Sequence, residues 1–263
     1  MTEIIEQPGS DYLIVKFPKS ILPEQYLPAC HVRIGLNKWS PIFLFTPSHP
    51  YTVSTTYEDR NLLSSLIIKK TRFQLEPFET YSIQPNFKSS LDLNFFKTAE
   101  NACIVCGGAG ISLGLGLFEY FKRCIVVDSR DIKLRLIWIT RNEEDLYILK
   151  ELNVTGVEVF ITSGTASEDY AIEVAPDDVE SGIPLTELEN DLESINTYEQ
   201  KFENVAVVGK RPKLDIMLEK TLSKTFDYAN KWIVACGPSS LIADCKEISE
   251  EKNCQFFSEE YSF

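Results

Sequence analysis

The segment Ala102-Cys103-Ile104-Val105-Cys106 runs without a polar break into Gly107-Gly108-Ala109-Gly110, and a helical pattern starts at once at Ile111-Ser112. A short apolar run bounded by glycines reads as a strand buried on both faces, and such strands belong to parallel sheets covered by helices. The rest of the second half keeps to that arrangement. Apolar strands at 134–140, 157–162, 204–208, 231–235 and 254–258 alternate with helical stretches at 111–122, 143–152, 214–225 and 239–252. The pattern predicts a doubly wound parallel-sheet α/β domain over 98–263.

The chain before about residue 97 is of another kind. Short runs rich in β-branched and aromatic residues, at 12–17, 31–36, 51–56, 65–70 and 81–84, are separated by turns rich in Pro, Asn and Ser. That spacing predicts a small antiparallel β-barrel over 1–97. At 263 residues the chain is long enough for both domains.

Charge excludes one class of partner. The net charge is −13, and twelve acids against one lysine fall between Gly164 and Glu203. That stretch predicts a disordered, like-charged insertion, and it argues against nucleic acid, which needs a basic surface. No run of about 18 apolar residues is present to span a bilayer, and the first residues lack the basic and apolar regions of a secretory signal. Seven cysteines, an odd number scattered in apolar runs, fit a reducing, cytoplasmic setting.

The glycine segment has a direct chemical use. Glycines let backbone turn sharply and approach a ligand, and the free N–H groups at a helix start suit a pyrophosphate. Gly107, Gly108, Gly110, Ile111 and Ser112 are therefore candidate nucleotide-binding residues, although a glycine-rich strand–helix turn without a ligand has the same pattern. Leu113 stands where the last glycine of G-x-G-x-x-G falls. Gly114 and Gly116 suit close helix packing. Arg141, at the end of the next strand, favours the 2′-phosphate of NADPH over the bare ribose of NADH, or it is a solvated charge at a helix start. Lys210 and Arg211 follow a later strand and add a second basic contact. Cys236, Gly237 and Pro238 end another apolar strand where open sheets bind ligands. There glycine and proline leave room for a planar ring and the thiol lies near a nicotinamide; alternatively Ser239 simply caps the next helix. Cys103 and Cys106 flank one buried strand and make neither a redox pair nor a metal site. In the barrel, His49-Pro50-Tyr51-Thr52 offers a ring to stack on an isoalloxazine, a hydroxyl for its N5 edge and an imidazole for a phosphate. Thr52 and Cys236 are the candidate catalytic residues.

These motifs, in this order, resemble the cytosolic half of the fungal ferric reductases and NADPH oxidases, within the ferredoxin–NADP reductase superfamily. The resemblance covers nearly the whole chain. His49-Pro50-Tyr51-Thr52 is similar to the family's H-P-F-T flavin motif, and Gly107-Gly108-Ala109-Gly110-Ile111-Ser112 to its G-G-x-G-I-[TS]. Leu136-Ile137-Trp138-x-x-Arg141 is similar to L-x-W-x-x-R, and Cys236-Gly237-Pro238 to C-G-P. Phe263 resembles the terminal aromatic that packs on the flavin. The resemblance implies FAD and NADPH as cofactors and electron transfer from NADPH through FAD to haem, ferric iron or O₂. It also implies a haem-containing membrane domain as partner, in the same longer polypeptide or as a separate subunit, and a place at the cytosolic face of a membrane.

Two departures point the other way. Lys69-Lys70-Thr71-Arg72-Phe73-Gln74 lacks the glycine of the family's pyrophosphate turn, and Gln84-Pro85-Asn86-Phe87 stands in place of G-P-Y-G. They favour an alternative, a non-catalytic nucleotide-binding or partner subunit that has lost FAD.

Overall fold

The computed structural model describes residues 3–23, 28–36, 48–54, 63–71, 75, 80–94, 99–128, 132–163, 205–208, 212–222 and 230–260. The acidic segment 164–203 and the candidate residues Lys210, Arg211 and Phe263 lie outside the described residues.

The N-terminal strands are β1 (Glu3–Glu6), β2 (Tyr12–Pro18), β3 (His31–Leu36), β4 (His49–Thr52), β5 (Leu63–Lys69) and β6 (Tyr81–Phe87). They pair antiparallel in the orders β1-β2-β5 and β4-β3-β6. A bridge between Val53 and Leu66 joins the two sheets, and Ser54 N–H donates to the Ser65 carbonyl at 2.9 Å. The barrel is as the strand spacing implies, with one addition. The hydrophobic pattern does not mark β1, which is created by the Pro8-Gly9 turn. Gly9 takes φ +85° and Ser10 N–H closes the turn on the Gln7 carbonyl at 3.2 Å. Pro50 and Pro85 cost little because β4 and β6 lie at the ends of their three-strand sheet.

Alternation along the barrel strands sorts side chains into two buried sets. Leu13, Val15, Phe17, Val32, Ile34, Tyr51, Val53, Leu66 and Ile68 fill the barrel. Tyr12, Ile14 and Ile67 face the other way and join the core of the second half. Burial on both faces is why β2 reads as one continuous apolar run.

The second half is a six-stranded parallel sheet of order β10-β9-β8-β7-β11-β12. Its strands are β7 (Asn101–Gly107), β8 (Lys133–Thr140), β9 (Val157–Ile161), β10 (Val205–Val208), β11 (Lys231–Gly237) and β12 (Gln255–Glu260). Helices α1 (Ile111–Asp128) and α2 (Tyr147–Glu151) cover the face that also meets the barrel. Helices α3 (Leu214–Leu222) and α4 (Ser239–Glu251) cover the opposite face through Leu214, Leu218, Leu241, Cys245 and Ile248. The expected helix at 143–152 is instead one 3₁₀ turn, Glu143–Leu146, followed by the short α2. Chain order runs outward from β7 to β10 on one side and resumes at β11 on the other. The topological switch therefore falls between β7 and β11.

One fork fixes α3 to the sheet. Arg135 on β8 binds Glu158 of β9 through two hydrogen bonds at 2.7 and 2.6 Å, and its remaining nitrogen donates to the Met217 carbonyl and Thr221 Oγ1. On the other face α1 sits close on β7 because Gly114 has no side chain. A Cβ there would overlap the Cys106 sulfur and lie 3.0 Å from Leu136 Cδ1. Alanine in a helix interior gains about 0.5–1 kcal/mol over glycine, but overpacking a filled core costs about 1–3 kcal/mol. Gly114→Ala is expected to be net destabilising, by roughly 1–2 kcal/mol. A lower urea midpoint at unchanged slope checks this.

Candidate functional site

The C-terminal ends of β7 and β11 are adjacent, and the turns that leave them touch. Cys106 and Cys236 are register partners. A Cβ on Gly107 would come within 2.8 Å of Pro238 Cδ, and one on Gly237 within 3.0 Å of Gly107 Cα; one on Gly110 would overlap the Cys236 carbonyl. These three glycines are thus required by the contact between the turns. Gly108, at φ +55°, and Ala109 are only half-buried and form the open crest of the turn. The crest is held from beneath, where the Trp138 indole N–H donates to the Gly108 carbonyl at 3.0 Å and Trp138 has no exposed surface.

Ile111 and Ser112 are placed differently from the sequence expectation. Both are buried, and Ser112 Oγ donates to the Ile67 carbonyl of barrel strand β5 at 3.5 Å. The first turn of α1 lies against the barrel, so the side chains at its start contact protein, and the exposed part of the turn is the crest at Gly108 and Ala109. Cys236 is likewise fully buried, and burial beside Cys106 and Glu259 pushes its thiol well above the ordinary cysteine value. Ser239 does not cap α4, because Pro238 occupies the N-cap and Ser239 Oγ donates to Glu260 Oε1 at 2.5 Å. Cys103 and Cys106 point to opposite faces of the sheet, into different cores, which explains why they cannot pair. Among the described residues no group of three His, Cys, Asp or Glu is placed to hold a metal.

Arg141 stands exposed at the end of β8, and its carbonyl accepts the Ser163 N–H at 3.0 Å. On the barrel side, His49 is half-buried and Pro50 exposed. Tyr51 and Val53 turn inward to the barrel core, while Thr52 lies on the opposite face, 3% exposed. The Tyr51 ring lies on the barrel-core face of β4, opposite to Thr52, as strand alternation requires.

Two residues that sequence reading passed over connect these parts. Thr52 is the register partner of His31 on β3, His31 Nδ1 lies 3.9 Å from Glu259 Oε1, and Glu259 is the register partner of Cys236. Burial raises Glu259 to about 7 and lowers His31. Glu259 Oε2 is buried without a hydrogen-bond partner. An unpaired buried polar atom costs about 1–3 kcal/mol, so a bound group with its own donors and acceptors suits this junction. That is the requirement of a flavin edge, and the residues fit it. The second such residue is Asp145, fully buried, which accepts hydrogen bonds from Ser10 Oγ, Asp11 N–H and Thr140 Oγ1 at 2.6, 3.1 and 2.5 Å. Nothing local in the sequence marks either carboxylate, because the barrel residues that each one meets are far away along the chain.

Comparison with known proteins agrees with this geometry. The model of the ferric reductase NAD binding domain matches residues 99–250, and that of an FAD-binding domain matches residues 3–93. The chain belongs to the ferric reductase family. It is an NAD(P)H-dependent FAD oxidoreductase module, with an FAD-binding part followed by an NAD-binding part. Among its relatives, the probable metalloreductase AIM14 of Candida tropicalis is 31% identical over 302 residues, covering 98% of this chain and 53% of that protein. AIM14 of Scheffersomyces stipitis is 30% identical over 274 residues, covering 98% and 50%. This ferric reductase-family chain thus spans about half the length of the metalloreductases it matches. Its fold is that of the ferredoxin NADP⁺ reductase of Neisseria gonorrhoeae, solved with bound FAD and NADP, at TM-score 0.59 and 13% identity over 95% of this chain and 92% of the other. It also matches part of full-length CYP116B46 from Tepidiphilus thermophilus at TM-score 0.60 and 15% identity, covering 100% of this chain and 28% of that one. Among the described residues of this reductase module no helix is long and apolar enough to cross a membrane.

Two measurements check the electrostatics of this reductase site. The protonated, deeply buried Cys236 thiol is expected to resist iodoacetamide at pH 8 in the native protein, whereas the half-buried Cys30 and Cys124 react first. Peptide mapping reads the order. Glu259 holds its proton in the fold up to about 7, whereas the unfolded chain releases it near 4.5. Between those values only the unfolded chain has lost the proton, so stability falls as pH rises, and the loss is complete above the folded value. Glu259→Gln should therefore gain about 1–3 kcal/mol on wild type at pH 8 relative to pH 4 in urea unfolding. An equal difference at both pH values would show that another group titrates.

Proposed function

We propose that the chain accepts hydride from NADPH and passes single electrons by way of FAD to an acceptor outside itself. The acceptor is a haem in a membrane-embedded half, and through it ferric iron or O₂. The observation that carries this reading is the junction itself, where the C-terminal ends of β7 and β11 meet and β12 reaches the Thr52 strand through Glu259 and His31. The names of the relatives, probable metalloreductases, support an iron-directed acceptor. A working position at the cytosolic face of a membrane follows from such an acceptor.

FAD, when bound, supplies the conversion of a two-electron donor into single electrons. The chain's own residues bind and orient. Thr52 offers its hydroxyl to the flavin N5 edge, with His49 and Pro50 beside it and Tyr51 supporting the strand from within the barrel. Phe263, outside the described residues, is the aromatic that the resemblance assigns to the flavin. The crest at Gly108 and Ala109, with Gly107 and Gly110 allowing the turn, receives the nucleotide pyrophosphate. Arg141 pairs with the 2′-phosphate, and Lys210 and Arg211, outside the described residues, are the further basic candidates for it. Gly237 and Pro238 form the wall of the nicotinamide pocket. Cys236 backs that wall with a thiol kept protonated, which leaves no competing nucleophile near the reacting ring.

The test is spectroscopic. Protein purified with FAD is expected to show a flavin band that bleaches when NADPH is added without oxygen. Thr52→Ala should slow the bleaching by roughly ten- to a hundredfold, the loss of one well-placed hydrogen bond. Arg141→Ala should weaken NADPH by about tenfold or more and leave NADH unchanged, since only NADPH carries the charge it pairs with. A colourless protein that still binds NADPH would overturn the reading in favour of a nucleotide-binding subunit without flavin.

A further inference from the structure

The backbone that carries Arg141 is held from two sides, and one of them leads into the barrel. On the sheet side, Ser163 donates to the Arg141 carbonyl through both its N–H, at 3.0 Å, and its hydroxyl. Thr162 N–H and Oγ1 hold the preceding Thr140 carbonyl at 2.9 and 3.1 Å. On the other side the chain turns through Asn142, whose carbonyl accepts the Asp145 N–H at 3.2 Å. The Asp145 carboxylate then spans the base of this turn. One oxygen accepts from Thr140 Oγ1 at 2.5 Å, and the other accepts from Ser10 Oγ at 2.6 Å and Asp11 N–H at 3.1 Å. Ser10 and Asp11 belong to the β1–β2 turn of the flavin barrel. Two neighbouring contacts repeat the attachment. A Cβ on Gly9 would come within 2.9 Å of Glu144 Cγ, and the Tyr147 hydroxyl donates to the Tyr12 carbonyl at 3.0 Å.

We propose that Asp145 is a positioning residue for the phosphate end of the nicotinamide nucleotide. By tying the Arg141 turn to the barrel, it makes affinity for NADPH, and discrimination against NADH, depend on the domain that holds the flavin. This rests on the reading of Arg141 as partner of the 2′-phosphate. The physical basis is geometric. A guanidinium–phosphate pair is strong only when its fork is aligned, and a turn free to shift by an ångström loses that alignment. Asp145 has no exposed surface and three donors in place, so its position is over-determined.

The decisive variant is Ser10→Ala, because Ser10 is a barrel residue whose hydroxyl donates to Asp145 while accepting the Tyr12 N–H at 3.1 Å, and it touches no residue assigned to the nucleotide. Calorimetric titration of the full chain with NADPH and with NADH gives the affinities of wild type, Ser10→Ala, Asp145→Asn, their double variant and Arg141→Ala. Ser10→Ala is expected to weaken NADPH by about three- to tenfold, the effect of one hydrogen bond to a charged group, with NADH unchanged. The double variant should be no weaker than Asp145→Asn alone, since both act through one network. If Ser10→Ala and Asp145→Asn melt at lower temperature yet keep the wild-type ratio of NADPH to NADH affinity, while Arg141→Ala loses it, Asp145 is purely structural and the proposal fails alone. If Arg141→Ala also keeps the ratio, the assignment of the 2′-phosphate to Arg141 fails and takes the proposal with it. Should Asp145→Asn not fold, Ser10→Ala decides by itself.

Discussion

The contact between two strand–helix turns, at Gly107–Gly110 and Cys236–Pro238, sets the position of everything around the site. No side chain fits between them, since a Cβ at Gly107, Gly110 or Gly237 would strike the opposite turn. β7 and β11 must therefore run in register to their ends, with Cys106 beside Cys236. Once they do, α1 leaves towards the barrel face and α4 towards the other, as the two separate cores require. The crest at Gly108 is then the open part of the β7–α1 turn, and Trp138 holds it from below. Backbone donors at that crest would serve an anion only if they are fixed before it arrives, and the indole fixes them.

The same facts explain what was legible in the sequence. The run 102–110 announces a doubly buried strand and a glycine turn because both are local properties, written in consecutive residues. The α/β alternation and the barrel strands are local in the same sense. β1 was missed because an exposed edge strand has no buried face to impose a period: Glu3, Ile4 and Glu6 are exposed and Ile5 only partly buried. The Pro8-Gly9 turn was the available sign. A motif gives residue types without saying which face of the strand each occupies, and Val53, two residues on, is the sign that Tyr51 shares the barrel core. Asp145 and Glu259 carry no signal of their own. Each is one acid among many, and what ties it to the barrel comes from residues more than a hundred positions away, Ser10 and Asp11 for Asp145 and His31 for Glu259.

Burial of β2 and β5 on both faces has a consequence for motion. Tyr12, Ile14 and Ile67 share one core with Ile104, Leu113, Leu117 and Trp138, so barrel and sheet are joined by apolar packing as well as by hydrogen bonds. Ser112 bonded to the Ile67 carbonyl and Tyr147 bonded to the Tyr12 carbonyl add polar ties across the same boundary. Interfaces between loosely coupled domains are more polar than this. The angle between the flavin and nucleotide parts is thus set by a core, and hydride transfer between two rings, which requires reacting atoms within about 3–3.5 Å, depends on such fixed geometry.

The two buried carboxylates at this boundary differ in what surrounds them. Both Asp145 oxygens are bonded, to three donors drawn from barrel and sheet, and such a group acts as a staple. Glu259 has one oxygen 3.9 Å from an imidazole and the other buried with no partner, in a place where burial alone holds its proton up to about 7. A fold has no reason to bury an unpaired oxygen for stability, since leaving the position apolar would cost less. The satisfied carboxylate lies under the Arg141 turn, and the unsatisfied one lies beside Cys236 and against His31, the register partner of Thr52. Polar capacity is in surplus where two cofactor rings would have to meet, and the fold is self-sufficient where it only has to hold a turn.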